Sequence, residues 1–282
     1  MLKTKIMKNW IVLSLLALFF SMCVFGQEKL SLNVCDAHTR KGIPYATVKV
    51  LNKPEGAYAN DNGMFLIKAT RSDSIMVSCI GYKPARLILS KADTIFLQPV
   101  VVALDEVKVN AKKRKEKSFG YYYTKKNMRF GSQIQIEHAI KLIVPQEYIS
   151  YRIKKVKIKC GNRKDSNLVR LHIYSMGKDG MPDKELLPKD IIVNNSVKMN
   201  DEIDISDLNL VLSDRELFVG IEWIEPYNKP KSSIFERIWF GLSISDPDNR
   251  TLVRTLRDPE YRWRDDLVLP KYYNLMVSLV ID

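Results

Sequence analysis

Histidine is scarce in this chain, with three in 282 residues, and cysteine nearly as scarce, with four. His38, His138 and His172 are too scattered to suggest shared ligation, and no Cys-x-x-Cys or Cys/His spacing of a zinc site occurs. No metal and no cofactor are therefore expected. HExxH, GxSxG, a Walker loop and GxGxxG are all missing, which removes the commonest hydrolase and nucleotide-binding sites. Helical periodicity is almost missing too. One short stretch from Asp183 to Asp190 reads as helix, and Pro188 limits it. No internal repeat links the two halves. These gaps argue against an enzyme, leaving a hydrolase with an unrecognised site as a third choice.

Acid is the minority charge. Lys and Arg number 45 against 32 Asp and Glu, a formal net charge of +13. Residues 1–26 open with Lys3, Lys5 and Lys8, continue in an apolar run from Trp10 to Phe25, and end in Val24-Phe25-Gly26. That is the layout of a secretory signal peptide cut after Gly26. The run is short for a membrane span, and Ser21-Met22 before Cys23 fits the lipoprotein signal poorly. Cleavage removes three Lys and no acid, so the mature chain carries 13 − 3 = +10. An exported protein meets little nucleic acid, so such a surplus points to solubility, to an anionic membrane surface or to surface polysaccharide.

Three cysteines remain after cleavage. Either Cys35 and Cys79 pair, leaving Cys160 alone, or all three are small buried hydrophobes; the second reading is preferred. The run Lys112-Lys113-Arg114-Lys115-Glu116-Lys117 cannot be buried and marks residues 108–118 as a basic linker. It is a charged spacer, with peripheral membrane contact through Lys112, Lys113, Arg114 and Lys115 as its functional option.

Ahead of that linker the apolar pattern alternates. Leu30, Leu32 and Val34 point one way and Ser31, Asn33 and Cys35 the other, the period of a half-buried strand. Further short strands are predicted at Ala46–Val50, Met64–Ile67, Ile75–Ile80, Arg86–Leu89 and Thr94–Leu97, separated by turn compositions such as Asn60-Asp61-Asn62-Gly63. Strands this short and evenly spaced suggest a β-sandwich. The run Asp36…Gly42-Ile43-Pro44-Tyr45-Ala46-Thr47-Val48, then Asp61-Asn62-Gly63-Met64-Phe65, Ser78-Cys79-Ile80-Gly81-Tyr82-Lys83 and Leu104-Asp105-Glu106-Val107-Lys108-Val109 resembles the carboxypeptidase-regulatory-like domain. The resemblance implies a transthyretin-like sandwich in an exported protein of a Gram-negative envelope, and a non-catalytic role. Leu104-Asp105-Glu106-Val107 also resembles the segment ahead of the plug in TonB-dependent transporters. Asp73-Ser74-Ile75 and Asp93-Thr94-Ile95 resemble acceptors of periplasmic O-glycosylation, and both read equally as strand starts.

Residues 119–282 are strand-rich as well. Val169, Leu171 and Ile173 alternate with Arg170, His172 and Tyr174; Leu217 to Trp223 alternates, and Ile238–Ile244 and Leu275–Ile281 are dense apolar runs. His172 is expected on a solvent-facing polar side. This half is similar to the jelly-roll sandwiches, some of galactose-binding-like form, that accompany envelope proteins. The expected architecture is all-β: a signal peptide over 1–26, a transthyretin-like sandwich over 27–107, a basic linker over 108–118 and a jelly-roll-like sandwich over 119–282.

Paired carboxylates such as Asp201/Glu202, Asp246/Asp248 and Asp265/Asp266 read as solvated loops, and Asp246-Pro247-Asp248-Asn249 as a plain turn rather than a Ca²⁺ loop. One constellation stands out. Arg254, Arg257, Tyr261, Arg262, Trp263, Arg264 and Asp265 put aromatic rings among arginines in a polar stretch read as a loop between strands. Rings stack on sugar faces while Arg and Asp bind hydroxyls or carboxylates, so the stretch is a candidate glycan-binding site. Alternatively Trp263 folds back as a lid on the sandwich, which is the preferred expectation. The function expected is an interaction or assembly module in the periplasm or at the outer membrane or cell surface, with an envelope protein or surface polysaccharide as partner; glycan binding is the alternative.

Overall fold

The structure, a computed structural model, describes residues 29–89, 93–100, 115–121, 129–133, 135–161, 167–195, 202–225, 238–244, 251–265 and 273–282. The signal peptide, the segment from Leu104 through Arg114, Asp201, Asp266 and the Asp246–Asn249 turn lie outside these residues. The described chain is all-β, as the alternation requires.

Seven strands build the first sandwich: β1 (Lys29–Asp36), β2 (Thr47–Val50), β3 (Gly56–Tyr58), β4 (Met64–Lys68), β5 (Ser74–Ser78), β6 (Ala85–Ile88) and β7 (Thr94–Leu97). They form the sheets β4-β1-β7, in which β1 and β7 are parallel, and β3-β2-β5-β6. Alternation sends Leu32, Val34, Phe65, Ile67 and Leu97 from one sheet against Val48, Val50, Ile75 and Val77 from the other. The turn before β4 needs its glycine. Gly63 has φ +81°, and a Cβ there would lie 2.4 Å from the Val34 carbonyl oxygen.

The second half contains β8 (Lys117–Gly120), β9 (Arg129–Ser132), β10 (Ile136–Ile143), β11 (Ile153–Ile158), β12 (Cys160–Gly161), β13 (Asn167–Met176), β14 (Pro182–Glu185) and β15 (Ile191–Asn195). It continues with β16 (Glu202–Asp204), β17 (Glu216–Ile224), β18 (Ile238–Ile244), β19 (Thr251–Thr255), β20 (Arg264–Asp265), β21 (Tyr273–Leu275) and β22 (Val277–Ile281). One large sheet runs β14-β13-β17-β10-β19-β20, with β15 also on β13. Opposite it stand β16-β11-β22-β8 and β12-β18-β21, the latter carrying β9 on β18. The dense run 275–281 is two strands, because the sheet forks at Met276. There the Lys159 N–H donates to the Met276 carbonyl (3.1 Å), Gly241 N–H to Lys159 (2.7 Å) and Met276 N–H to Gly241 (2.8 Å). Val169, Leu171, Ile173, Val219 and Ile221 pack across to Val156, Phe240, Leu242, Val277 and Leu279.

The expected helix at 183–190 is not formed. The Glu185 carboxylate accepts backbone N–H groups of Ile173 (3.1 Å) and Leu187 (3.1 Å), which holds the segment extended against β13 as β14. No disulfide joins Cys35, Cys79 and Cys160 to one another; Cys160 is buried and the other two are half-buried.

The two sandwiches stack on one another. The outer face of β3-β2-β5-β6 carries Thr47, Lys49 and Tyr58, all buried, and Tyr58 packs with Leu168, Ile224 and Leu256 of the second half. Four sheet layers result. The two interfaces inside the sandwiches are apolar; the one between them joins that small apolar cluster to buried charged side chains.

Candidate functional site

Register assembles the middle interface. β13, β17, β10 and β19 lie side by side, and pairing sets Arg170 beside Glu222, Glu222 beside Glu137, and Glu137 beside Arg254. The next row is His172, Gly220, Ala139 and Leu252. All project from the face opposite the apolar core, because core positions alternate with them along each strand. The expectation that this face meets solvent is overturned by burial: His172 is 6% exposed, Arg170 and Glu137 2%, Glu222 3%. The first sandwich and the β19–β20 hairpin cover it.

Arg170 is the hub at one end. Its Nε and Nη2 grip Asp190 as a fork (2.8 and 3.0 Å), Nη1 donates to Glu222 (2.8 Å) and Thr47 Oγ1 (2.9 Å), and Nη2 also donates to the Tyr45 carbonyl (2.6 Å). Thr47 and Tyr45 belong to the first sandwich, so this arginine ties the two together. Tyr58 adds a second tie, its hydroxyl donating to Glu222 Oε1 (2.9 Å). Burial, then the Glu222 charge, raises the Tyr58 phenol well above its ordinary range, so it stays a donor. The Cys79 thiol lies 3.7 Å from Asp190, and burial followed by that carboxylate pushes its pKa up to about 12. It is not a thiolate nucleophile.

His172 sits between carboxylates. Its Nδ1 is 2.7 Å from Glu185, its Nε2 3.4 Å from Glu222 and 3.9 Å from Glu137, and its ring stacks on Tyr174 at 5.2 Å. Burial works against the imidazolium; Glu137, Glu185 and Glu222 outweigh it and raise the pKa to about 10. Both ring nitrogens then donate, and neither keeps a lone pair for a metal. Burial also opposes the Glu222 carboxylate, yet Arg170 and His172 bring it down to about 2. Among the described residues no His, Cys, Asp and Glu group is arranged to hold a metal ion. Gly220 makes room for the arrangement, since a Cβ there would lie 2.8 Å from Glu137 Oε1 and 2.9 Å from His172 Cβ.

The hairpin stands at the row's other end. Arg254 lies within β19 rather than in a loop, because Glu137 opposite it fixes the register, and Arg264-Asp265 return as β20 beside Leu252 and Val253. Arg254 Nε donates to Glu137 (2.6 Å) and Nη2 to the Tyr174 hydroxyl (2.9 Å), which itself donates to Glu137 (2.8 Å). Its guanidinium lies 4.4 Å from the Trp263 ring centre and 4.8 Å from that of Tyr261. Tyr261 reaches it through a left-handed backbone, φ 49°. Arg254, Tyr261 and Trp263 thus come together, with both rings half-buried. Arg257, Arg262, Arg264 and Asp265 stay exposed; Arg257 donates to Gln135 (3.3 Å) and Arg264 pairs with Asp258 (2.8 Å).

The other histidines have ordinary places. His138 is buried against Phe130 and Phe240 with Ser132 Oγ 2.8 Å away, and His38 is exposed. Glu202 binds Lys155 and Lys157. Sequence reasoning passed over Glu137, Glu185, Asp190 and Glu222. A signal existed in charged residues at alternate positions of otherwise apolar strands beside Gly220, but only pairing joins them.

Residues 32–111 match the family model described as CarboxypepD_reg-like domain, so the first sandwich is a carboxypeptidase-regulatory-like domain. The chain is 28% identical over 137 residues to the TonB-dependent receptor SusC of Bacteroides thetaiotaomicron, a match covering 49% of this chain and 13% of that one. The chain therefore spans a small part of that relative. Among solved structures, one titled "Structure of infectious bursal disease virus Gx strain" overlaps 90% of this chain and 60% of its own, with 14% identity and a TM-score of 0.23. Another, of the T13 particle of the same virus, covers 89% and 56%, with 12% identity and a TM-score of 0.21. Such TM-scores fall below those of shared folds.

Proposed function

We infer that this is an exported cell-envelope protein whose two sandwiches act together as a non-enzymatic interaction or assembly module. The observation that carries this reading is Arg170, whose donors all go to residues that join the sandwiches or brace the joint. The charged cluster holds the sandwiches together. A regulatory-like first domain, of a non-catalytic type, and the similarity to a TonB-dependent receptor support an envelope setting. The test is fractionation of cells producing the chain, followed by crosslinking in the intact envelope. The mature chain is expected in envelope fractions and in crosslinked species larger than itself. Recovery from the cytosol as full-length, uncrosslinked protein would overturn the reading.

A second reading is favoured by the hairpin: it is a saccharide-binding site, supported by the half-buried Trp263 ring beside Arg254. Retention on a polysaccharide column that Trp263→Ala abolishes would support it.

A further inference from the structure

The two sandwiches are not held to each other as each is held within itself. Each encloses a closed apolar cluster of its own. Across the joint the buried apolar set is Tyr58 against Leu168, Ile224 and Leu256, with Tyr45, Ile192 and Tyr261 at its margin. Apolar burial is the main source of cohesion in water, so of the three interfaces between layers the joint has the least. An interface of that kind opens before the bodies on either side of it unfold.

The polar bonds across the joint pass mainly through one ion pair. Arg170 donates to Thr47 Oγ1 (2.9 Å) and to the Tyr45 carbonyl (2.6 Å), and Glu222 accepts from the Tyr58 hydroxyl (2.9 Å). Arg170 and Glu222 are themselves bonded at 2.8 Å. Gln135 Nε2 adds a separate tie to the Gly56 carbonyl (3.0 Å). Bonds that share one guanidinium and one carboxylate support each other and are lost together.

Cys79 sits where parting can be read. Its thiol belongs to the first sandwich and lies 3.7 Å from Asp190 of the second, the carboxylate that Arg170 grips. While the joint is closed, burial and that carboxylate keep the group protonated, and alkylation needs the thiolate.

We propose that the joint is a latch: the sandwiches part along it as intact bodies, with the Arg170–Glu222 pair as the catch. Parting uncovers the β2–β3 face with Thr47, Lys49 and Tyr58, a contact surface that the closed chain hides. The latch rests on the charged cluster being the tie between the sandwiches and is independent of the envelope setting, which fractionation tests separately.

The experiment uses the full mature chain and compares iodoacetamide labelling of Cys79, read by mass spectrometry, with amide exchange at Leu32 and Leu171, one in each core. In the wild-type chain at rising urea, Cys79 is expected to label where both amides are still protected. Labelling that begins only as those amides exchange overturns the proposal, and this arm needs no variant. In Arg170→Gln without urea, labelling is expected to accelerate roughly tenfold or more relative to exchange at Leu32 and Leu171, since charged hydrogen bonds are lost. Tyr58→Phe removes a single crossing bond and is expected to accelerate labelling about threefold. Labelling of Arg170→Gln at the wild-type rate overturns the proposal; where that variant does not fold, Tyr58→Phe decides by the same criterion. Acceleration matched by exchange in both cores shows that joint and sandwiches melt together, and overturns it too.

Discussion

Removing Arg170 strands two carboxylates. Glu222 and Asp190 both depend on its guanidinium, and both lie where water reaches poorly. Arg170→Ala is expected to cost about 3–5 kcal/mol, the range for breaking a buried pair from one side, seen as a lower denaturation midpoint. An unchanged midpoint would mean that water replaces the guanidinium freely. His172 sets a pH dependence. Its folded pKa of about 10 lies above the ordinary 6.5, so its contribution is complete below about pH 6.5 and is lost as pH rises through 10. Glu222 works in the other direction: lowered to about 2 from 4.5, it loses its contribution as pH falls through that window. Tm should therefore peak near pH 5 to 6.5 and fall on the alkaline side, and His172→Gln should flatten the alkaline fall. An equally steep fall in the variant would assign it elsewhere. Gly220→Ala drives a methyl into Glu137 and His172, with an expected loss of about 1–3 kcal/mol from overpacking.

At the scale of elements, alternation carried most of the reading. β1, β4, β7, β13, β17 and β18 lie where apolar and polar residues alternate or crowd, since a strand with one buried face has no other way to be written. Residues 183–190 differ: helix-compatible residues are held extended there by Glu185, a contact that local propensity does not contain. Arg254 reads as loop in the sequence for a similar reason, because its strand assignment comes from Glu137 across the sheet. The β19–β20 hairpin also touches the first sandwich: Leu256 lies where a Cβ on Gly56 would meet its side chain at 2.7 Å. Gly56→Ala should therefore loosen the hairpin against β3, and faster amide exchange at Thr255–Asp258 in the variant would register it. Trp263→Ala removes a ring stacked on Arg254 and edge-on to Tyr174 at 6.0 Å. A loss of roughly 1–3 kcal/mol is expected from those contacts, and a variant as stable as wild type would mean the ring serves binding alone.

The whole molecule is two sandwiches joined through buried charge and a small apolar cluster. The first has a closed core of its own, so residues 27–107 are expected to fold alone and give a dispersed amide spectrum; a collapsed spectrum would show that the second sandwich is required. What the amino-acid sequence determined by itself was the local pattern: strands, turns, the carboxypeptidase-regulatory-like motifs and the all-β class, each written within a few neighbouring residues. What only the tertiary structure decided was the meaning of the polar faces. Alternation says which side of a strand a residue takes, but not what covers that side. Glu137 and Arg254 lie 117 positions apart, and Tyr58 and Glu222 lie 164 apart. Strand register and the stacking of one sandwich on the other bring them together, and both are long-range packing choices that no stretch of sequence states alone.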